Sequence, residues 1–114
     1  MFKFEKLNVW QKTIDLAIEM EDVVEGLPTK ERYCLSDQLR RAILSISTNI
    51  AEGSGREGEK ESKHFYNIAK GSVYESVSLL RVAMAKGYIG HEVYAEFYKQ
   101  LEEIAKMLTG LLRK

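Results

Sequence analysis

The sequence predicts an all-α fold, an antiparallel up-down-up-down four-helix bundle in one domain over residues 1–114. Three observations predict it. Apolar residues recur at three- and four-residue intervals through four long stretches. The only proline is Pro28, so most of the chain is free to be helical. The breaks are short and glycine-rich: "GLPTK" at 26–30, "GSGREGE" at 53–59 and "KGYIGHE" at 86–92. No alternating apolar–polar run competes as a strand. Short connections between long helices favour antiparallel neighbours.

The first helix is expected at about 8–26, with Asn8 as N-cap and Gly26 just past the end. Trp10, Ile14, Ala17, Val24 and Leu27 mark its core stripe. The second is expected at about 29–52, capped by Thr29, with Leu35, Leu39, Ala42, Ile46 and Ile50 inward. The third, at about 59–86, carries Phe65, Ala69, Ser72, Ser76, Leu80 and Ala83 on one face, and Gly87 can end it. Its small residues allow close helix approach. The fourth, at about 91–112, has a heptad-like seam of Tyr94, Phe97, Leu101, Ile104, Leu108 and Leu111. Lys99, Glu102, Glu103 and Lys106 form its solvated side.

The apolar arcs on the first three helices look wider than a monomeric bundle needs. A core-facing stripe covers a little over 100°. Val9, Leu16, Met20 and Val23 widen the first helix. Tyr33 and Leu44 lie about opposite the core on the second, and Tyr66, Val73, Val77 and Met84 extend the third. Apolar surface of that extent marks an interface. These ten residues are therefore expected to join copies of the chain in a homo-oligomer.

Composition narrows the chemistry. Lys and Arg number 17 against 17 Asp and Glu, so bulk charge does not attract polyanions and any nucleic-acid contact needs a local patch. One cysteine, Cys34, excludes an internal disulfide and fits a reducing compartment. The start, "MFKFEKLNVW", lacks the apolar run of a signal peptide, and no stretch is apolar enough to span a bilayer. A cytoplasmic location without membrane contact is the expectation.

Three motifs suggest chemistry and fail on context. "GSGREG" has the G-x-G-x-x-G spacing of dinucleotide sites, but a helix precedes it where a strand is required. "ESKH", from Glu61 to His64, has the Glu-x-x-His spacing of di-iron bundles, but no second copy exists. Cys34 has no evident base near it in sequence. No enzyme activity, cofactor or metal is expected. Trp10, Tyr66 and Tyr74 could stack on bases, yet aromatics at helical spacing more often serve a core or an interface.

Nearly the whole chain resembles the 23S rRNA-intervening sequence proteins, a bacterial family of small four-helix bundles. The resemblance runs through "FEKLNVWQKTIDLA", "LPTKERYCLSDQLRRAILSISTNIAEGSGR", "FYNIAKGSVYES" and "AKGYI". "QLRRA…SISTNIAEGSGR" is its most specific part. One departure is visible: family members often carry a proline within the "SISTN" segment, where this chain has Ser47 and its neighbours, so a milder kink is expected. The resemblance implies a ring-like homopentamer and a genomic link to ribosomal RNA genes.

Two functions follow as expectations. In the first, Arg40, Arg41, Arg56, Lys63, Lys70 and Arg81 form a basic patch for ribosomal RNA phosphate, repeated by the oligomer. In the second, the protein is a structural oligomer that binds another protein. Arg40 and Arg41 then pair with carboxylates such as Glu52, Glu75 or Asp37, within or between subunits, Asn49 satisfies backbone groups where the second helix ends, and Glu52 belongs to the same buried polar network. The first predicts a contiguous basic surface. The second predicts neutralised arginines and an uncovered apolar patch.

Overall fold

Helix-period spacing becomes four helices and no strand: α1 (Asn8–Glu25), α2 (Leu35–Ser54), α3 (Glu59–Ala85) and α4 (His91–Leu112). The structure is a computed structural model that describes residues 1–114. Its extents are 43 × 24 × 23 Å. At about 1.5 Å per residue, α3 alone spans most of the long axis. No helix is long and apolar enough to cross a membrane.

The helix ends follow local chemistry, with three differences from expectation. Leu7, not Asn8, is the N-cap of α1, and its carbonyl accepts the Gln11 amide at 3.2 Å. Thr29 does not cap α2. It opens a 3-10 turn, Thr29–Glu31, and α2 begins only at Leu35. That turn points Glu31 inward, where its carboxylate meets Lys86 and Tyr88. At its other end α2 continues through Gly53 and Ser54. Gly53 is therefore a helical residue and not part of a flexible turn. A Cβ there would lie 2.6 Å from Cε1 of Tyr66, so glycine is what lets α3 come this close. The end of α3 is as expected: Gly87 takes φ 79°, and the Tyr88 amide reaches back to the Ala83 carbonyl at 2.9 Å.

Each helix packs on its chain neighbour, and α1 also packs on α4; the α2–α3 contact is the most extensive. The stripes expected for α2 and α4 are buried as read, with Ile43 added on α2 and the two ends of the α4 seam, Tyr94 and Leu111, half-buried. The stripe on α1 is rotated. Val9, Thr13, Leu16, Met20 and Val24 are buried, while Trp10, Ile14 and Ala17 flank them half-buried.

This corrects half of the expected oligomer interface. Val9, Leu16, Met20, Tyr66 and Val73 lie inside the core of a single chain. Val23, Val77 and Met84 are half-buried, and only Tyr33 and Leu44 are exposed. A helix at the corner of a four-helix arrangement meets two neighbours. A wide apolar arc on α1 or α3 therefore serves two intramolecular contacts before it implies a second chain.

Candidate functional site

The polar residues of α2 are occupied locally. Ser45 Oγ accepts from Ser72 Oγ at 2.8 Å, joining α2 to α3. Asn49 donates to the Ser45 carbonyl at 2.8 Å, one turn back, instead of serving the helix end. Ser47, Thr48 and Ser54 donate to carbonyls three or four residues earlier. No buried side-chain polar atom lacks a partner. The Ser45–Ser72 pair thus crosses the tight α2–α3 contact with its hydroxyls bonded, which offsets the cost of desolvating them. Glu52, expected in a buried network, is exposed instead and pairs with Arg56.

Four of the six expected RNA-contacting cations have carboxylate partners. Arg40 makes a two-pronged pair with Glu21 of α1, at 2.6 and 3.2 Å. Its guanidinium holds the Glu21 carboxyl below the usual range, and Glu21 raises Arg40 in return. Arg41 pairs with Asp37 at 3.1 Å. Arg56 pairs with Glu52 and Glu61 and sits 4.6 Å from the centre of the Phe65 ring. Lys63 pairs with Glu59 at 3.0 Å. The acid partner of Arg40 comes from another helix, which sequence spacing does not reveal. Carboxylates thus interrupt the basic patch expected of the six cations at Arg40, Arg41, Arg56 and Lys63.

Lys70 and Arg81 behave differently. Both line an open groove of about 780 Å³ between α3 and α4. Lys70, Tyr74, Val77 and Arg81 follow one another at 4–3–4 spacing on α3. Tyr94, Tyr98, Leu101 and Ala105 do the same on α4. Val73 and Leu101 form a buried floor, with half-buried Val77 and Ala105 above it. Ser78 and Ala105 are too small to fill the space. Tyr74, Val82 and Tyr98 stay exposed along the groove. Lys70 donates to Thr109 Oγ1 at 2.8 Å, and Arg81 stands 6.0 Å from the centre of the Tyr94 ring. Neither cation has a carboxylate partner, and Lys106 on the α4 side has none either. The single acid in the lining is Glu102. Sequence reading placed Lys106 on an ordinary solvated face and Tyr94 in the core seam. Only the packing of α3 on α4 brings them beside Lys70 and Arg81.

A second polar cluster ties the two ends of the chain's connections together. Glu31, 6% exposed, accepts from Tyr88 Oη at 2.7 Å and Lys86 Nζ at 3.0 Å. The Tyr88 and Lys86 hydrogen bonds hold its carboxyl below the usual range, and Glu31 raises both partners. Every charge here is answered, so the cluster reads as a structural clasp. The Glu-x-x-His motif dissolves likewise: Glu61 pairs with Arg56, and His64 packs edge-on to Phe65.

Fold and site together define a four-helix all-α protein with one open, cation-lined aromatic groove. The chain belongs to the 23S rRNA-intervening sequence protein family, whose profile matches residues 5–110. It is similar in structure to a crystallised protein of unknown function from Bacteroides thetaiotaomicron, a member of the S23 ribosomal protein family. The two share 23% identity and a TM-score of 0.85, over 93% of this chain and 99% of that one. At that identity the likeness shows the fold. No curated protein matches the chain.

Proposed function

We propose that the protein is a non-enzymatic scaffold: an up-down-up-down four-helix bundle that self-associates into a ring-like homo-oligomer. The observation that carries this reading is the α3–α4 groove, an apolar trough with Tyr74 and Tyr98 left exposed beside it. An uncovered apolar surface of this kind marks a binding face. The contact pairs support the helix order. Ser45 meets Ser72 while Gly53 meets Tyr66, and Lys12 meets Glu103 while Glu19 meets Gln100. In both helix pairs one number rises as the other falls, as antiparallel neighbours require.

The family description brings ribosomal RNA into view, and one feature favours an RNA contact as a second reading. Lys70, Arg81 and Lys106 stand among three tyrosines without carboxylate partners, a combination that suits phosphate and stacked bases. The carboxylate partners of Arg40, Arg41 and Arg56 count against a wider RNA surface.

Light scattering on the purified chain at micromolar concentration tests the main reading. The expected mass is a multiple of 13.1 kDa. A monomer would overturn it.

A further inference from the structure

The outward face of α1 is the counterpart of the α3–α4 groove. Positions 11, 15, 18, 22 and 25 form one stripe at 4–3–4–3 spacing, turned away from the buried Leu16–Met20 side. They are Gln11, Asp15, Ile18, Asp22 and Glu25, and all five are exposed. The stripe holds no cation. Asp15 and Asp22 have no ion-pair partner within the chain, in contrast to Lys12 beside them, which pairs with Glu103. Ile18, 68% exposed, is an apolar knob between the two aspartates. The groove offers the converse, an apolar trough flanked by Lys70, Arg81 and Lys106 against one carboxylate, Glu102.

We propose that this acidic ridge of α1 docks into the α3–α4 groove of a second copy of the chain. Ile18 enters the trough beside Tyr74 and Tyr98, and Asp15 and Asp22 meet the groove's cations. Charge complementarity between two surfaces of the same chain selects this occupant. The ridge and the groove are different patches, so the contact is head-to-tail. Each copy uses its ridge on one neighbour and its groove on the other, and such a contact closes into a ring when the rotation permits. The inference rests on the self-association proposed above and names the surfaces that make it.

Charge reversal tests the pairing. Asp22 and Arg81 are both exposed, so Asp22→Lys and Arg81→Glu should leave helical content unchanged, and melting should fall only as far as assembly is lost. Each single variant is expected to weaken assembly about tenfold or more, because like charges then face each other across the contact. The double variant should recover much of that loss. Assembly of the unaltered chain should weaken as salt is raised. If both single variants assemble like the unaltered chain, this interface is wrong while self-association stands. If the unaltered chain is a monomer, both proposals fall. If Arg81→Glu leaves assembly intact but abolishes binding of a short RNA oligonucleotide, the groove belongs to RNA and the docking proposal is overturned.

Discussion

Gly53 shows how one missing atom can set a helix crossing. The Tyr66 ring is 9% exposed and lies where a Gly53 Cβ would stand, with the Ser62 carbonyl 3.0 Å away on the same side. Neither can withdraw without moving α3. Gly53→Ala should therefore destabilise the protein by about 1–3 kcal/mol, the usual cost of overpacking a filled site. Gly71 is the opposite case. It is helical and exposed, and a Cβ there meets nothing within 4 Å. Gly71→Ala should stabilise by about 0.5–1 kcal/mol through helix propensity. Chemical denaturation of the two variants reads both signs, and equal effects would contradict the packing account. Sequence alone presents both residues as unexceptional glycines near polar neighbours. What separates them is a side chain from another helix.

At the scale of the element, α1 is the instructive case. Its apolar residues occupy so much of the helix that several stripes fit, and sequence reading centred the core on Trp10, Ile14 and Ala17. The structure centres it on Leu16 and Met20, at 0% and 1% exposure. Leu16→Ala should cost about 2–5 kcal/mol, as a truncated buried leucine does. Ile18→Ala, on the outward face, should change monomer stability by less than about 0.5 kcal/mol. A thermal melt of each variant, at a concentration low enough for the chain to be monomeric, distinguishes the two faces. The α2 and α4 stripes were legible because polar residues bound them clearly on both sides. The start of α2 was not, because Thr29 has the chemistry of a cap, while the burial of Glu31 against Lys86 and Tyr88 is a long-range contact.

For the whole molecule, two cross-element carboxylates link stability to acid. Glu21 on α1 bonds Arg40 on α2, and Glu31 in the first connection bonds Lys86 and Tyr88 beyond α3. Both acids are held below their ordinary value of 4.5, so the folded state binds their protons less readily than the unfolded chain. Their contribution is fully present above that value and is lost as pH falls through the lower folded-state values. Denaturation midpoints should be steady near neutrality and decline below about pH 4.5. Glu31→Gln should lower the neutral midpoint and flatten the acid decline. An acid limb as steep as that of the unaltered chain would show that Glu31 carries none of it.

The sequence by itself determined the helical class, the existence of three breaks between four helices, and the inward stripes of α2 and α4. Those properties are local: hydrophobic period, glycine and proline placement, and the absence of competing strand patterns. It also carried the family resemblance, since whole motifs such as "STNIAEGSGR" are linear. Tertiary structure decided which cations are free. Arg40 is paired with Glu21, nineteen positions away, whereas Lys70, Arg81 and Lys106 have no carboxylate partner, and the only acid lining their groove is Glu102. It decided as well that Leu16, Met20, Tyr66 and Val73 belong to the core of one chain. A side chain's spacing along a helix fixes its direction from the axis, but only the neighbouring helices determine what it meets there.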